Sequence, residues 1–202
     1  MRKIAVLALL FASSLMMAQK TKFEKGDLKF LQGQTELNVV FDYSNLKLMK
    51  EELTEKQYVE NRMKDLNEKS NGNGEIWKKK WEGAKDIIWN TKFLEIANTV
   101  STKEKTNIVF KENANAAKYT LIVEAVWIYP GWDVAMMKQP AKVTTRLKFV
   151  ETANKSNVVA VIFSENAPGD QWGSNFSNES RIGEGFAKTA KTLVKMIAKE
   201  IK

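Results

Sequence analysis

The sequence predicts an α+β domain: an antiparallel sheet, built from a meander over residues 119–164 and a strand near 36–43, packed on one face by helices near 75–100 and 179–201. Three observations carry that prediction. Residues 141–152 alternate, with Val143, Thr145, Leu147 and Phe149 on one face and Lys142, Thr144, Arg146 and Lys148 on the other, the period of two of a half-buried strand. Two further β-rich runs flank it, at 119–129 and 157–164, the second joined by the polar turn Ala153-Asn154-Lys155-Ser156. The stretches at 75–100 and 179–201 instead space their apolar residues three and four apart, as amphipathic helices do.

In chain order, Met1-Arg2-Lys3 and the apolar run 4–12 read as a signal peptide, too short to span a bilayer. Cleavage is expected after Ala18, so residues 1–18 are the signal and 19–202 one α+β domain beginning at Gln19. Losing Arg2 and Lys3 lowers the formal charge from +8 to +6. No cysteine follows the signal, which excludes a lipid-anchored lipoprotein and any disulfide. A domain of this size needs no such staple. With no second hydrophobic run, the expectation is an exported protein, periplasmic or secreted, without a transmembrane span.

Residues 20–25 read as a polar, mobile lead-in, and Leu28-Lys29-Phe30-Leu31 as a short strand broken by Gly33. Over 36–43, Leu37, Val39, Phe41 and Tyr43 share a face, which makes a strand of the same sheet. Residues 54–68 are charged and helix-favouring, with Tyr58, Arg62 and Leu66 four apart and a thin apolar stripe of Val59, Met63 and Leu66, so this helix packs at the periphery. Ser70-Asn71-Gly72-Asn73-Gly74 breaks the chain.

In the helical region 75–100, Trp77, Trp81, Ala84 and Ile88 form one stripe, while Trp89, Phe93, Ile96 and Val100 form a displaced one. That drift predicts a bend near Asn90-Thr91 or two abutting helices. Large aromatics at helical spacing are read as core rather than as a ligand platform. Lys78-Lys79-Lys80 is read as the solvated side of the helix, not as a nucleic-acid patch. Residues 107–110 make a short strand. The terminal helix carries the stripe Ile182, Phe186, Ala190, Leu193 and Ile197, and Gly183 and Gly185 in its first turns are read as allowing close packing on the sheet rather than as exposing backbone donors to an anion.

The absences bound the chemistry. Without histidine or cysteine there is no Ser-His-Asp triad, thiol nucleophile or typical zinc site. No catalytic residue, metal or cofactor is assigned from the sequence. In a meander the first and third strands end at one edge of the sheet. Two loops, 129–140 with Pro130-Gly131-Trp132-Asp133 and 167–178 with Pro168-Gly169-Asp170-Gln171-Trp172, therefore emerge together. Tyr129, Trp132, Asp133, Asp170 and Trp172 are the candidate binding residues, since rings beside carboxylates and amides stack on and hydrogen-bond to sugars or peptides. The other reading is that the tryptophans fold back and seal the sheet end. If the hairpin is symmetric about Ala135, Glu124 faces Arg146 as an exposed cross-strand pair.

The expected function is a non-enzymatic binding or envelope-assembly module. Its partner would be an envelope protein, peptide or glycan of unknown identity, and its oligomeric state is not specified. The alternative is a carboxylate-based hydrolase of glycans, which would need Glu124, Asp133 or Asp170 in one pocket.

Residues 36–45, 117–123, 149–152, 167–169 and 181–187 resemble a family of uncharacterised exported α/β proteins of Gram-negative bacteria. The resemblance implies a mixed α/β exported domain and supplies no activity or site residues. In element order alone, the chain is similar to small α/β domains of periplasmic envelope-assembly proteins.

Overall fold

The computed structural model describes residues 19–134, 137–169 and 177–201. The alternating runs do form a meander: β6 (Tyr119–Tyr129), β9 (Ala141–Glu151) and β10 (Val158–Gly169) are antiparallel neighbours. They lie within an eight-stranded sheet ordered β1-β10-β9-β6-β2-β5. Here β1 is Lys20–Lys25, β2 is Glu36–Asp42 and β5 is Val109–Lys111. A short antiparallel pair, β3 (Lys47–Leu48) and β4 (Leu53–Thr54), joins beside β6.

Several boundaries differ from the sequence expectation, each for an identifiable reason. Residues 20–25 are not a free lead-in but the edge strand β1, paired with β10 from Lys20↔Glu165 to Lys25↔Val161. That pairing covers the flank of β10, whose Val158–Phe163 run is apolar on both faces. Leu28-Lys29-Phe30-Leu31 forms a 3-10 turn that buries Leu28 and Leu31, not a strand. Strand β2 joins the sheet, but parallel to both β5 and β6; the helical crossover between β2 and β5 provides the length that parallel pairing needs.

The helices are α1 (Glu55–Lys69), α2 (Asn73–Ala84), α3 (Thr91–Glu104) and α4 (Asn178–Ile201). A reciprocal capping box starts α1, with Gln57 Oε1 accepting from the Thr54 amide at 2.9 Å and Thr54 Oγ1 accepting from the Gln57 amide at 3.3 Å. Between α2 and α3 the chain does not simply bend. Residues Lys85–Asn90 form a π-helical turn, whose extra residue accounts for the drift between the two apolar stripes. It also turns consecutive residues, Trp89 and Asn90, inward together.

Ile182, Phe186, Ala190, Leu193 and Ile197 of α4 are all buried, so the terminal helix lies along β9 and β10 through its predicted stripe. Gly185 sits so close to the sheet that a Cβ there would come within 2.4 Å of Val143 Cγ2. Trp81 is fully buried and Trp77 packs beside it with ring centroids 5.5 Å apart, which places both in the core layer. Among the described residues, no helix is long and apolar enough to cross a membrane.

Candidate functional site

The site begins with a fault in β6. Pairing of β6 with β9 runs Glu124↔Arg146 and Ala125↔Thr145, then slips at Val126 and resumes at Trp127↔Thr144. One extra residue in a strand exchanges its faces. Tyr119, Leu121, Val123 and Ala125 face the core before the bulge, and Ile128 takes that face after it. Unbroken alternation would put Trp127 on the face of Leu121 and Val123; the bulge turns it, with Tyr129, to the opposite one. The two rings are nearly parallel, 13° apart in plane with centroids at 6.3 Å. Trp127 Nε1 donates to the Met49 carbonyl at 2.7 Å, which ties β3 to this end of β6.

Beyond Tyr129 the chain was expected to be a loop. It is instead a small hairpin, β7 (Trp132–Val134) against β8 (Met137–Gln139). Gly131 makes the entrance possible: its φ is +70°, and a Cβ there would lie 2.4 Å from the Gln139 carbonyl oxygen. Gln139 Oε1 accepts from both Tyr129 Oη at 3.2 Å and Trp132 Nε1 at 3.0 Å. Trp132 remains 38% exposed, so its indole does not fold back to seal the sheet.

This hairpin and the start of α1 enclose a groove of about 560 Å³. Tyr129, Pro130, Gly131 and Trp132 line it from the hairpin side, Leu53, Tyr58, Asn61, Arg62 and Asp65 from the α1 side, and Asn178 and Arg181 complete the lining. Tyr58 is buried and hydrogen-bonded to Asn178, and burial pushes its hydroxyl up to about 12. Buried Arg181 donates to Asn178 Oδ1. Arg62 is half-buried, and its Nε has no hydrogen-bond partner among the described residues.

Of the sequence-predicted residues, Tyr129 and Trp132 come together on this groove. Asp133 lies in β7, with its backbone opposite Lys138. Asp170 and Trp172 fall outside the described residues. Residues 167–169 are the end of β10 rather than a loop, continuing its pairing with β9 past a slip at Glu165-Asn166. Lys142 of β9 pairs with Tyr129 on one side and Pro168 on the other, so β6 and β10 do finish at one rim. Tyr58, Arg62, Trp127 and Gln139 were not nominated. The four-residue spacing of Tyr58 and Arg62 marked one face of α1, but only the packing of α1 shows that this face meets the β6 hairpin.

Glu124 does stand opposite Arg146, but it is not exposed. It is 6% accessible, with Oε2 2.8 Å from Lys148 Nζ and 3.6 Å from Arg146 Nη1. It lines neither the groove nor a shallower depression of about 470 Å³ around Trp127 and Phe163. Two cations hold it within the sheet, so it is not placed to pair with a second carboxylate at the rim. Among the described residues no cluster of acidic side chains is spaced to hold a metal ion.

No family model matches the chain, and neither does any curated protein. Among solved structures it is similar to the PelC dodecamer from Paraburkholderia phytofirmans, at 12% identity and a TM-score of 0.40 over 87% of this chain and 97% of that one. A variant of that protein gives 11% identity and a TM-score of 0.33 over 85% and 97%. These likenesses are too slight to carry an argument about site or partner.

What the groove can do follows from its walls. Aromatic faces and half-buried polar groups around a cleft of this size suit non-covalent capture of a small or extended ligand.

Proposed function

We propose that the protein is an exported, non-enzymatic binding or envelope-assembly module whose ligand surface is the groove between the β6–β7 rim and α1. One observation carries the reading: Tyr129 and Trp132 are held by a shared amide with Trp132 still open to solvent, facing a wall of polar and aromatic side chains. A seal over the core would bury the indole. Export rests on the amino-terminal pattern, in which a basic start precedes a short apolar run. The partner of this groove is an envelope protein, peptide or glycan.

A thermal-shift screen of the mature protein against glycans and peptides tests this. A ligand that raises the melting temperature of the wild type but not of Trp132→Ala supports the groove. A ligand bound equally by both places the binding surface elsewhere. Turnover of a glycan that Asp133→Asn abolishes would favour the hydrolase alternative instead.

A further inference from the structure

The groove is not chemically uniform. Its carboxylates, Glu51 and Asp65, are exposed, whereas Arg62, one helical turn from Tyr58 in the same lining, is half-buried. Exposed charges are screened by water and salt, and a partly desolvated one is screened much less. Among the described residues Arg62 forms no ion pair, and its Nε is buried without a hydrogen-bond partner. The neighbouring cations Lys56, Lys78 and Lys85 each have a carboxylate within 4.0 Å. A half-buried guanidinium with no ion-pair partner favours a counter-charge, and a planar carboxylate is the group its fork fits.

The rest of the wall says what carries that carboxylate. Tyr129 and Trp132 have committed their polar edges to Gln139, leaving ring faces as contact surface. Asn61 and the exposed carboxylates offer hydrogen bonds to hydroxyls. We infer that the groove takes an acidic glycan, with a sugar ring against Tyr129 and Trp132 and its carboxylate on Arg62. This rests on the reading of the groove as a binding site and adds the ligand class to it.

The test compares an oligogalacturonate with the same oligomer carrying methyl-esterified carboxyls, using calorimetry on the mature protein. The acid should bind about tenfold or more tightly than the ester, and weaken as salt rises. Arg62→Gln should erase that preference, and a denaturant melt that matches the wild type shows that the variant is folded. Trp132→Ala should weaken both. Equal binding of acid and ester by the wild type overturns the inference but leaves the groove reading intact if Trp132→Ala still weakens both. Failure of both oligomers to bind, or capture of an acidic peptide in their place, also overturns it.

Discussion

Tyr129 and Trp132, three residues apart across a glycine turn, donate to one and the same atom, Oε1 of Gln139. A carbonyl oxygen with two lone pairs can accept both, and each bond removes a rotational freedom that a ligand would otherwise have to freeze. Replacing Gln139 with alanine should therefore weaken ligand binding about three- to tenfold while moving stability by less than about 1 kcal/mol. Titration of ligand into wild type and variant, followed by tryptophan fluorescence, measures the first. Denaturant unfolding measures the second.

The two glycines of α4 should respond differently to alanine. A Cβ at Gly185 would stand 2.4 Å from Val143 Cγ2 and 3.2 Å from the Ala167 carbonyl. Val143 is β-branched and fully buried in β9, so it has little freedom to move aside. A Cβ at Gly183 meets Ile88 Cγ2 at 2.9 Å and otherwise only ordinary contacts. Alanine favours the helix by about 1 kcal/mol at either site, and overpacking costs about 1–3 kcal/mol. Ile88 is β-branched too but half-exposed, so Gly185→Ala should be clearly destabilising and Gly183→Ala less so. Paired urea melts that rank them the other way would refute this account of the helix–sheet contact.

These glycines also show what was legible in the sequence. Their role in close packing, the buried stripe of α4, the meander and the Glu124–Arg146 register all follow from period and spacing. The bulge at Val126 did not: nothing in Glu124-Ala125-Val126-Trp127 marks an extra residue, yet it decides which face Trp127 occupies. The edge strand β1 was hidden because Lys20–Lys25 is polar on nearly every side chain, and its order comes from backbone pairing instead. Half of the groove was unreadable for a related reason. Tyr58 and Arg62 lie some seventy residues from Tyr129, and only tertiary packing joins them.

Glu124 offers a test of buried charge. Its Oε2 lies 2.8 Å from Lys148 Nζ at an angle that makes no hydrogen bond, so the attraction is Coulombic. Both cations have side chains about one-third exposed, at 32% and 34%, and solvent screening reduces what the pair contributes. A double-mutant cycle of Glu124→Gln with Lys148→Met should give a coupling of about 1 kcal/mol, towards the low end of the range for charged groups in contact. A coupling indistinguishable from zero would mean that the desolvated carboxylate is held by Arg146 alone.

Alkaline pH should loosen the fold through two tyrosines. Burial raises both Tyr58, to about 12, and Tyr43 above the ordinary value of 10.0. An unfolded chain therefore releases these protons first, and stability is intact below pH 10 and declines as pH rises toward about 12. The slope should be about 1 kcal/mol per pH unit for each tyrosine still protonated in the native state. Tyr58→Phe should flatten that decline by about half. Unfolding free energies collected across the window would decide it, since a pH-independent wild type leaves no room for a raised tyrosine.

The π-turn gives the sharpest structural prediction away from the groove. By widening one turn it sends Trp89 and Asn90 into the interior side by side, and each finds a partner there. Trp89 Nε1 donates to the Glu179 carbonyl at 2.9 Å, at the first turn of α4. Asn90 Oδ1 accepts from Tyr43 Oη at 2.7 Å, and its amide donates to Asp86 Oδ1 at 3.2 Å. Asn90→Ala would leave the half-buried Tyr43 hydroxyl without its acceptor, at a cost of about 1 kcal/mol. Ile87, on the same turn but 74% exposed, should tolerate alanine within about 0.5 kcal/mol. Deleting one residue between Lys85 and Asn90 would restore an α-turn. Because the widened turn takes up the extra residue, α3 would keep Phe93, Ala97 and Val100 on the core face they now fill, and the loss would fall on the side-by-side placement of Trp89 and Asn90. The deletion should therefore unfold cooperatively at lower denaturant than the wild type, whereas a variant without a cooperative transition would show that α3 depends on the π-turn for its register.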